Sequence, residues 1–211
     1  MRRLRRILGL LLILAVVLGV WVAIDLADHS RHSMRDFDPH EVARLETRMW
    51  RSYYDHRSFR LFADLVTLLR DQYHLSFWRA VAGAYHAARG AVVFQRGHER
   101  PDYLLALPDV VRYYELIASA ATESFDVRRV SEDEVEWWIV HRQRDRHPPG
   151  DLPHALAILQ SDIFHQTESD FAVHAQARAD AMLLRDAGGD WGRIGELLDT
   201  SWTSLHAVVN R

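Results

Sequence analysis

The segment from residue 132 to 149, EDEVEWWIVHRQRDRHPP, holds the densest collection of chemically active side chains in the sequence. A helical projection at about 100° per residue places Glu136 on its apolar side, in the gap between Ile139 and Val140. A carboxylate among apolar neighbours must be protonated, paired with an arginine or bound to a metal. Because acids begin the segment and arginines end it, the helix dipole also accounts for most of this charge. The segment is therefore either a reaction centre or a charged helix.

Two other acids occupy comparable edge positions, since Glu46 and Glu115 lie beside apolar residues on separate predicted helices. If the three carboxylates converge, they predict a metal site like that of helical di-iron proteins, holding iron, manganese or zinc, with His141 or His174 as a further ligand. The Glu-x-x-His pairs of those proteins are missing here, because Glu136 and His141 are five residues apart. Arginine partners are abundant, with 26 arginines in the chain. The sequence thus favours ion pairs and no cofactor over a metal site.

Aromatic rings and arginines form a second group of candidates, since both types are enriched at interaction surfaces. Arg178 and Arg185 share one side of a helix with His174, and such a cationic stripe is usually a solvated face. As a functional site the stripe predicts an anion-binding or partner-binding surface. The interaction candidates are Trp50, Tyr54, Trp137, Arg178 and Arg185.

Composition excludes several catalytic classes. The chain has no cysteine, which rules out thiolate catalysis, disulfides and zinc fingers. All 26 basic residues are arginine, so neither a Schiff-base lysine nor a phosphate-loop lysine is present. There is also no Gly-x-Ser-x-Gly, His-Glu-x-x-His or glycine-rich phosphate loop. Removing the four arginines at the amino terminus leaves 22 against 29 acids, a balance that argues against nucleic-acid binding.

The elements that position these residues begin with an apolar amino terminus. Residues 7–24 are uncharged, and as a helix these 18 residues span about 27 Å, enough to cross the hydrocarbon core of a bilayer. A cleaved signal peptide is the competing interpretation. Cleavage after Ala23 or after Ala27 would put Trp21 or Asp25 at position −3, where small residues are preferred. We therefore predict an uncleaved anchor.

The anchor divides the chain into three parts. These are a transmembrane helix at residues 1–28, a juxtamembrane linker at residues 29–37 and an extracytoplasmic α-helical domain at residues 38–211. The leading arginines should stay in the cytoplasm, which predicts a single-pass inner-membrane protein with a periplasmic domain. His29 and His32 have the spacing of a ligand pair, but a hydrated linker is expected there.

The domain after residue 38 is predicted to be all-α and bundle-like, with about seven helices. Apolar residues recur at helical spacing, and no segment alternates over the length of a strand. Asp38 and Asp190 predict helix starts, and Ser131 with Glu134 predicts a capping box. Whether the chain breaks near Ser58 is left open. The helix at residues 76–95 is apolar around most of its circumference, which predicts a position in the middle of the core.

No catalytic motif emerges, so the sequence favours an interaction or accessory protein over an enzyme. Its expected partners are the lipid bilayer, through residues 7–24, and a membrane protein within a larger complex. One alternative is a metal-dependent helical-bundle enzyme that uses the carboxylates and histidines above. The other is a sensor that binds a small ligand in an aromatic-lined cavity between helices.

Overall fold

The protein is described by a computed structural model that covers residues 2–28 and 30–211. These residues form α-helices and no β-strand, which confirms the all-α prediction. The helices are α1 (Arg2–Leu26), α2 (Pro39–Tyr54), α3 (Ser58–Tyr73), α4 (Phe77–Gln95), α5 (Arg100–Tyr103), α6 (Leu107–Ala120), α7 (Val127–Arg142), α8 (Asp151–Phe164), α9 (Ala172–Asp186) and α10 (Trp191–Val209). Short 3-10 turns occur at Leu104–Ala106, Arg144–Arg146 and Glu168–Phe171.

The described part of the body has eight long helices and the four-residue α5, slightly more than the seven predicted. The additional helix results from a break between α2 and α3, the point that the sequence left open. His56 lies in this break with a φ of 55°, in the left-handed region. A right-handed helix cannot continue through such a residue, so α2 ends and α3 begins with a new direction.

Local capping explains where several helices begin. The carboxylates of Asp38 and Asp190 accept hydrogen bonds from backbone N–H groups in the first turns of α2 and α10, as predicted. The capping box expected at Ser131 is wrong. Helix α7 begins at Val127, because Asp126 accepts a hydrogen bond from the backbone N–H of Arg129 at 3.0 Å. Ser131 lies inside the helix, where its hydroxyl donates to a backbone carbonyl one turn earlier.

The eight long helices of the body pack as a closed ring. Each packs against the long helix before it and the one after it in the chain, and α10 packs back on α2. Helices joined by short connections become spatial neighbours, so chain order dictates most of this arrangement. The interior of the ring holds fully buried side chains, among them Leu45, Leu69, Ile117, Ile139, Leu156 and Leu198.

Helix α4 is not the central helix that the sequence predicted. Its small-residue face packs against α3 and α6, with Ala80 and Ala84 fully buried. Its larger apolar face is open, with Tyr85 52% and Val92 45% exposed. In a closed ring no helix is surrounded by other helices. A helix that is apolar around most of its circumference therefore keeps one apolar face exposed.

Helix α1 extends away from the ring. It is long and apolar enough to span a membrane, and none of its most apolar window is buried by the rest of the chain. A secretory signal sequence near the amino terminus has the same two properties. In the described chain its main contacts with the body are to α4.

The segment after α1 is only partly the hydrated linker that the sequence predicted, because residues 30–32 are exposed whereas residues 33–37 are docked on the body through Met34 and Phe37. The backbone of His32 pairs with the strand-like segment around Ala121. Its N–H donates to the Ala120 carbonyl at 2.8 Å, and its carbonyl accepts from the Thr122 N–H at 2.9 Å. Met34 and Phe37 are buried, and Glu123 accepts a hydrogen bond from the Met34 backbone at 2.8 Å. These contacts leave the segment little freedom to move. The predicted partner of His32, His29, lies outside the described residues.

Candidate functional site

The carboxylates proposed as metal ligands do not converge. Glu115 accepts a hydrogen bond from Arg112 at 2.7 Å, and Glu136 accepts two from Arg100 at 3.1 and 2.5 Å. Both acids keep more than a third of their side chains exposed. Within residues 2–28 and 30–211, no three His, Asp or Glu residues form a group that could hold a metal ion. The metal hypothesis lacks the ligand set that it requires.

Glu46 lies instead in the interior of the ring, paired with Arg178. The two side chains are 6% and 14% exposed, and Arg178 Nη2 donates to Glu46 at 2.7 Å. The indole N–H of Trp202 donates to the second carboxylate oxygen at 2.5 Å. The guanidinium carbon of Arg178 is also 5.5 Å from the ring of Trp137 and 5.7 Å from that of Trp202. Two sequence candidates, Trp137 and Arg178, are therefore joined by a cation–π contact.

His174 belongs to the same interior cluster. Its ring is fully buried, 5.6 Å from that of Trp202, and Nδ1 lies 2.8 Å from the hydroxyl oxygen of Ser201. That hydroxyl donates its own proton to the His174 carbonyl at 3.0 Å. In the contact between Nδ1 and the hydroxyl oxygen, Nδ1 is therefore the protonated donor. Burial lowers the pKa of His174 to about 3, and the charge of Arg178 adds to this effect. His174 is thus neutral at physiological pH.

The stripe of His174, Arg178 and Arg185 is not the solvated face that the sequence predicted. Helix α9 lies between α8 and α10, and this face packs against the interior of the ring. Glu46 supplies the charge that makes burial of Arg178 tolerable, because an unpaired buried guanidinium would be far more costly. A helical projection gives the positions of charges around one helix, but it does not include the acid on another helix that neutralises them.

A second interior carboxylate, Glu134, was missed by the sequence reasoning. It accepts hydrogen bonds from the hydroxyl of Tyr114 at 2.9 Å and from the indole of Trp138 at 3.0 Å. In the described chain no arginine lies within ion-pair distance of it. Burial, with the charge of Glu134, raises the pKa of Tyr114 well above its usual value. The spacing of Glu134 and Trp138, one helical turn, is the signal that the sequence offered.

The other interaction candidates lie closer to the surface. Arg185 contacts the ring of Tyr54, with its guanidinium carbon 3.5 Å from the centroid, and lies 5.4 Å from that of Trp191. Trp50 is half-buried against the core. His141 is 3.1 Å from Asp186, and burial nevertheless lowers its pKa. Arg185 thus contacts two aromatic rings, and one of them, Tyr54, is 37% exposed.

Two aspartates, Asp133 on α7 and Asp162 on α8, share one arginine. Arg129 Nε lies 3.4 Å from Asp133 and 2.9 Å from Asp162. Burial, with the neighbouring carboxylate, raises the pKa of Asp133 to about 7, whereas the pKa of Asp162 is lowered. The folded protein therefore retains a proton on Asp133 that the unfolded chain releases above pH 3.8.

We expect Asp133→Asn to stabilise the fold at pH 8 and to leave it unchanged at pH 4. A raised pKa gives stability that is complete below the unfolded value and is lost as the pH rises through the folded value. Asparagine does not titrate, so the substitution removes that loss. The free energy of unfolding at pH 8 should therefore rise by about 1–2 kcal/mol after allowing for solvent screening. Urea unfolding at both pH values measures it, and equal effects at the two would contradict the assignment.

An arginine-lined cleft was also missed. It has a volume of about 690 Å³ and lies between α2, the start of α3 and the first turn of α10. Three of its arginines recur at i, i+4 and i+7 on α2, which is a signal that the sequence contained. The arginines of this cleft, which we name the arginine cleft, are Arg44, Arg48, Arg51, Arg57 and Arg60.

The joint between α1 and α4 is a further site that the sequence did not predict. The carboxylate of Asp25 accepts hydrogen bonds from the backbone N–H of Trp78 at 2.7 Å and from the hydroxyl of Ser76 at 2.9 Å. It thereby caps the first turn of α4 from a different helix. The ring of Trp21 stacks on that of Phe77 at 5.6 Å and meets that of Trp78 at 5.4 Å. The apolar helix is thus fastened to the body by an anionic cap and an aromatic cluster.

The structure therefore offers two accessible features, the arginine cleft and the α1–α4 joint, beside an interior cluster closed by its own hydrogen bonds. No family model, no curated protein and no solved structure matches the chain.

Proposed function

We propose that this protein is a membrane-anchored accessory protein whose helical body is held in a fixed orientation for a membrane-protein partner. The observation that carries the proposal is the joint at Asp25, which caps α4 with the end of α1. A protein that needed only attachment to the membrane would be served by a flexible tether. Here the docked segment at residues 33–37 and the aromatic contacts of Trp21 restrict rotation of the body about its anchor.

The same joint supports an uncleaved anchor. Cleavage after Ala23 would remove Trp21, and cleavage after Ala27 would also remove Asp25. Either product would lose the aromatic contact at the start of α4, and the product of cleavage after Ala27 would also lose its anionic cap. We infer that residues 7–24 remain in the inner membrane, with the leading arginines in the cytoplasm and the body in the periplasm.

The uncovered surface of α1 supports a partner within the membrane. No residue of its apolar window is buried by the described part of the chain, and the adjoining apolar face of α4 is open at Tyr85 and Val92. Lipid covers such a helix, but a subunit of a membrane complex would also use it for helix–helix packing. The metal-enzyme alternative has no comparable support, because its three proposed carboxylate ligands lie apart.

Topology and partnership are tested on the full chain. A C-terminal alkaline phosphatase fusion should be active and a C-terminal green fluorescent protein fusion dark, with the intact chain retained in carbonate-washed membranes. A photo-crosslinking residue at Leu11 or Leu14, both exposed, should capture a defined membrane protein. Recovery of a shortened soluble product, or the reverse reporter result, would overturn the proposal.

The rigidity of the joint is a separate prediction. We expect Asp25→Ala to accelerate hydrogen exchange at the Trp78 amide about fivefold, because replacing a capping carboxylate by alanine costs about 1 kcal/mol. Asp28→Ala is the matched control, since the Asp28 carboxylate bonds to the backbone of Ser30 within the linker. Membrane retention should not change in either variant. If both variants exchange equally at Trp78, Asp25 does not hold the joint.

A further inference from the structure

We propose that the arginine cleft binds a small soluble anion that carries a phosphoryl group. The inference does not depend on the proposed function, because it rests on a different surface of the body. Five guanidinium groups line one cleft in a chain whose net charge is −3. Arginine is suited to phosphate because its planar donors bind two oxygens at once.

The carboxylates near the arginine cleft do not neutralise it fully. Arg44 pairs with Glu41, Arg48 and Arg60 share Asp64, and Arg51 and Arg57 share Asp55. Three acids thus serve five arginines. A fourth acid, Asp199, bonds to His40 at 2.6 Å and raises the pKa of that histidine. Asp71 also acts on Arg44 from outside the cleft. Among the residues that line the cleft, five arginines face two acids, Asp55 and Asp199, so the lining keeps an excess positive charge, which increases when His40 is protonated.

Several of these ion pairs are long, so the arginines remain available to a ligand. Arg51 Nε is 4.0 Å and Arg57 Nη2 is 3.3 Å from the same carboxylate oxygen of Asp55. Arg60 is 3.9 Å from Asp64, which already holds Arg48 at 2.5 Å. Exposed pairs of this kind contribute little to stability. A phosphoryl group could replace the shared carboxylates at small cost.

One donor in the cleft has no partner. The Nε atom of Arg48 is buried and makes no hydrogen bond in the described chain, although the terminal nitrogen of the same group is bonded to Asp64. A buried unpaired donor is unfavourable unless a ligand or water satisfies it.

The size and opposite wall of the cleft suit a small molecule. Its volume of about 690 Å³ falls within the range of small-molecule sites, about 300–1,000 Å³. Trp191, Gly192 and Gly195, from the beginning of α10, form part of the wall. The first amides of α10 are already bonded to the Asp190 carboxylate, so the arginines supply the attraction for an anion, while the indole of Trp191 offers an apolar surface to the remainder of the ligand.

The position of the cleft favours a soluble ligand over the headgroup of a lipid in the anchoring membrane. Helix α3 has 16 residues, so its ends are about 24 Å apart. Its carboxyl end meets the docked linker, where His74 bonds to the Asp36 carbonyl at 2.6 Å. Arg57 and Arg60 lie at its opposite end. A headgroup next to α1 would therefore be far from these two arginines.

The test uses the full chain in nanodiscs of phosphatidylcholine, titrated calorimetrically with pyrophosphate and inorganic phosphate at constant ionic strength. We expect saturable binding that the double variant Arg51→Gln/Arg57→Gln weakens at least tenfold. The control is Arg112→Gln/Arg128→Gln, which removes the same charge from two exposed, ion-paired arginines outside the cleft. It should change the dissociation constant less than twofold.

A second variant and a lipid comparison make the result decisive. Arg60→Gln alone should weaken pyrophosphate binding about threefold, and circular dichroism verifies that every variant remains helical.

Absence of saturable binding to the wild-type chain would overturn the proposal, as would equal weakening by the control pair. Binding to vesicles of anionic phospholipid without binding to soluble pyrophosphate would also overturn it, because the ligand would then be a headgroup.

Discussion

Glu46→Gln is expected to destabilise the folded protein by about 3 kcal/mol. The substitution preserves the size of the side chain but removes the charge that neutralises Arg178 in the interior of the ring. Breaking a buried ion pair by removing one partner costs about 3–5 kcal/mol, because the remaining charge is left uncompensated. The lower end of this range applies here, since the carboxylate of Glu134 also attracts Arg178. Urea unfolding of the full chain in detergent, followed by tryptophan fluorescence, measures the loss.

The matched control is Glu136→Gln, the same substitution in an ion pair at the surface. Its partner Arg100 is 55% exposed, so we expect a change below about 1 kcal/mol. The double variant Glu46→Gln/Arg178→Met should regain part of the lost stability, because it leaves no unpaired buried charge. Equal effects of the two glutamine substitutions would mean that the interior pair is as solvated as the surface pair.

The contribution of His174 to the stability of the protein should fall between pH 6.5 and pH 5, because His174 is buried in its neutral form. Its pKa is about 3 in the folded protein, against 6.5 for an ordinary histidine. A base with a lowered pKa contributes stability that is complete above pH 6.5 and is lost as the pH falls toward 3, since only the unfolded chain binds the proton. At pH 5 the loss is about 2 kcal/mol.

His174→Asn isolates this contribution. The asparagine side chain amide can still donate to Ser201, but it does not titrate, so the variant should lose about 2 kcal/mol less than the wild-type chain between pH 7 and pH 5. His154→Asn is the control, because His154 is exposed on α8 and pairs with Glu168. If His174→Asn and the wild-type chain respond to pH in parallel, His174 is not held neutral.

The two proposals concern different surfaces of the protein. The first proposal rests on the joint of α1 and α4, and the second rests on the arginine cleft, which lies on α2, α3 and α10. A ligand in the cleft would contact two helices that pack directly on each other, α2 and α10. Each proposal has its own measurement, so either can fail without the other.

The sequence alone determined the helices and most of their ends. Apolar spacing and short-range caps are local properties, and Asp38 and Asp190 cap the helices that they were predicted to cap. The apolar character of residues 7–24 likewise needs no tertiary information. The misplaced start of α7 shows the limit of this reasoning, because the helix is capped by Asp126, five residues before the predicted Ser131.

Only the tertiary structure decided which charges are buried. Glu46, Glu115 and Glu136 occupy similar edge positions on their helices, yet only Glu46 is enclosed, because α10 closes the ring on α2 and brings Trp202 to it. The stripe on α9 faces inward for the same reason, since its countercharge comes from α2, 132 residues away in the chain. Exposure of a helix face depends on which helices pack against it, and periodicity within one helix does not contain that information.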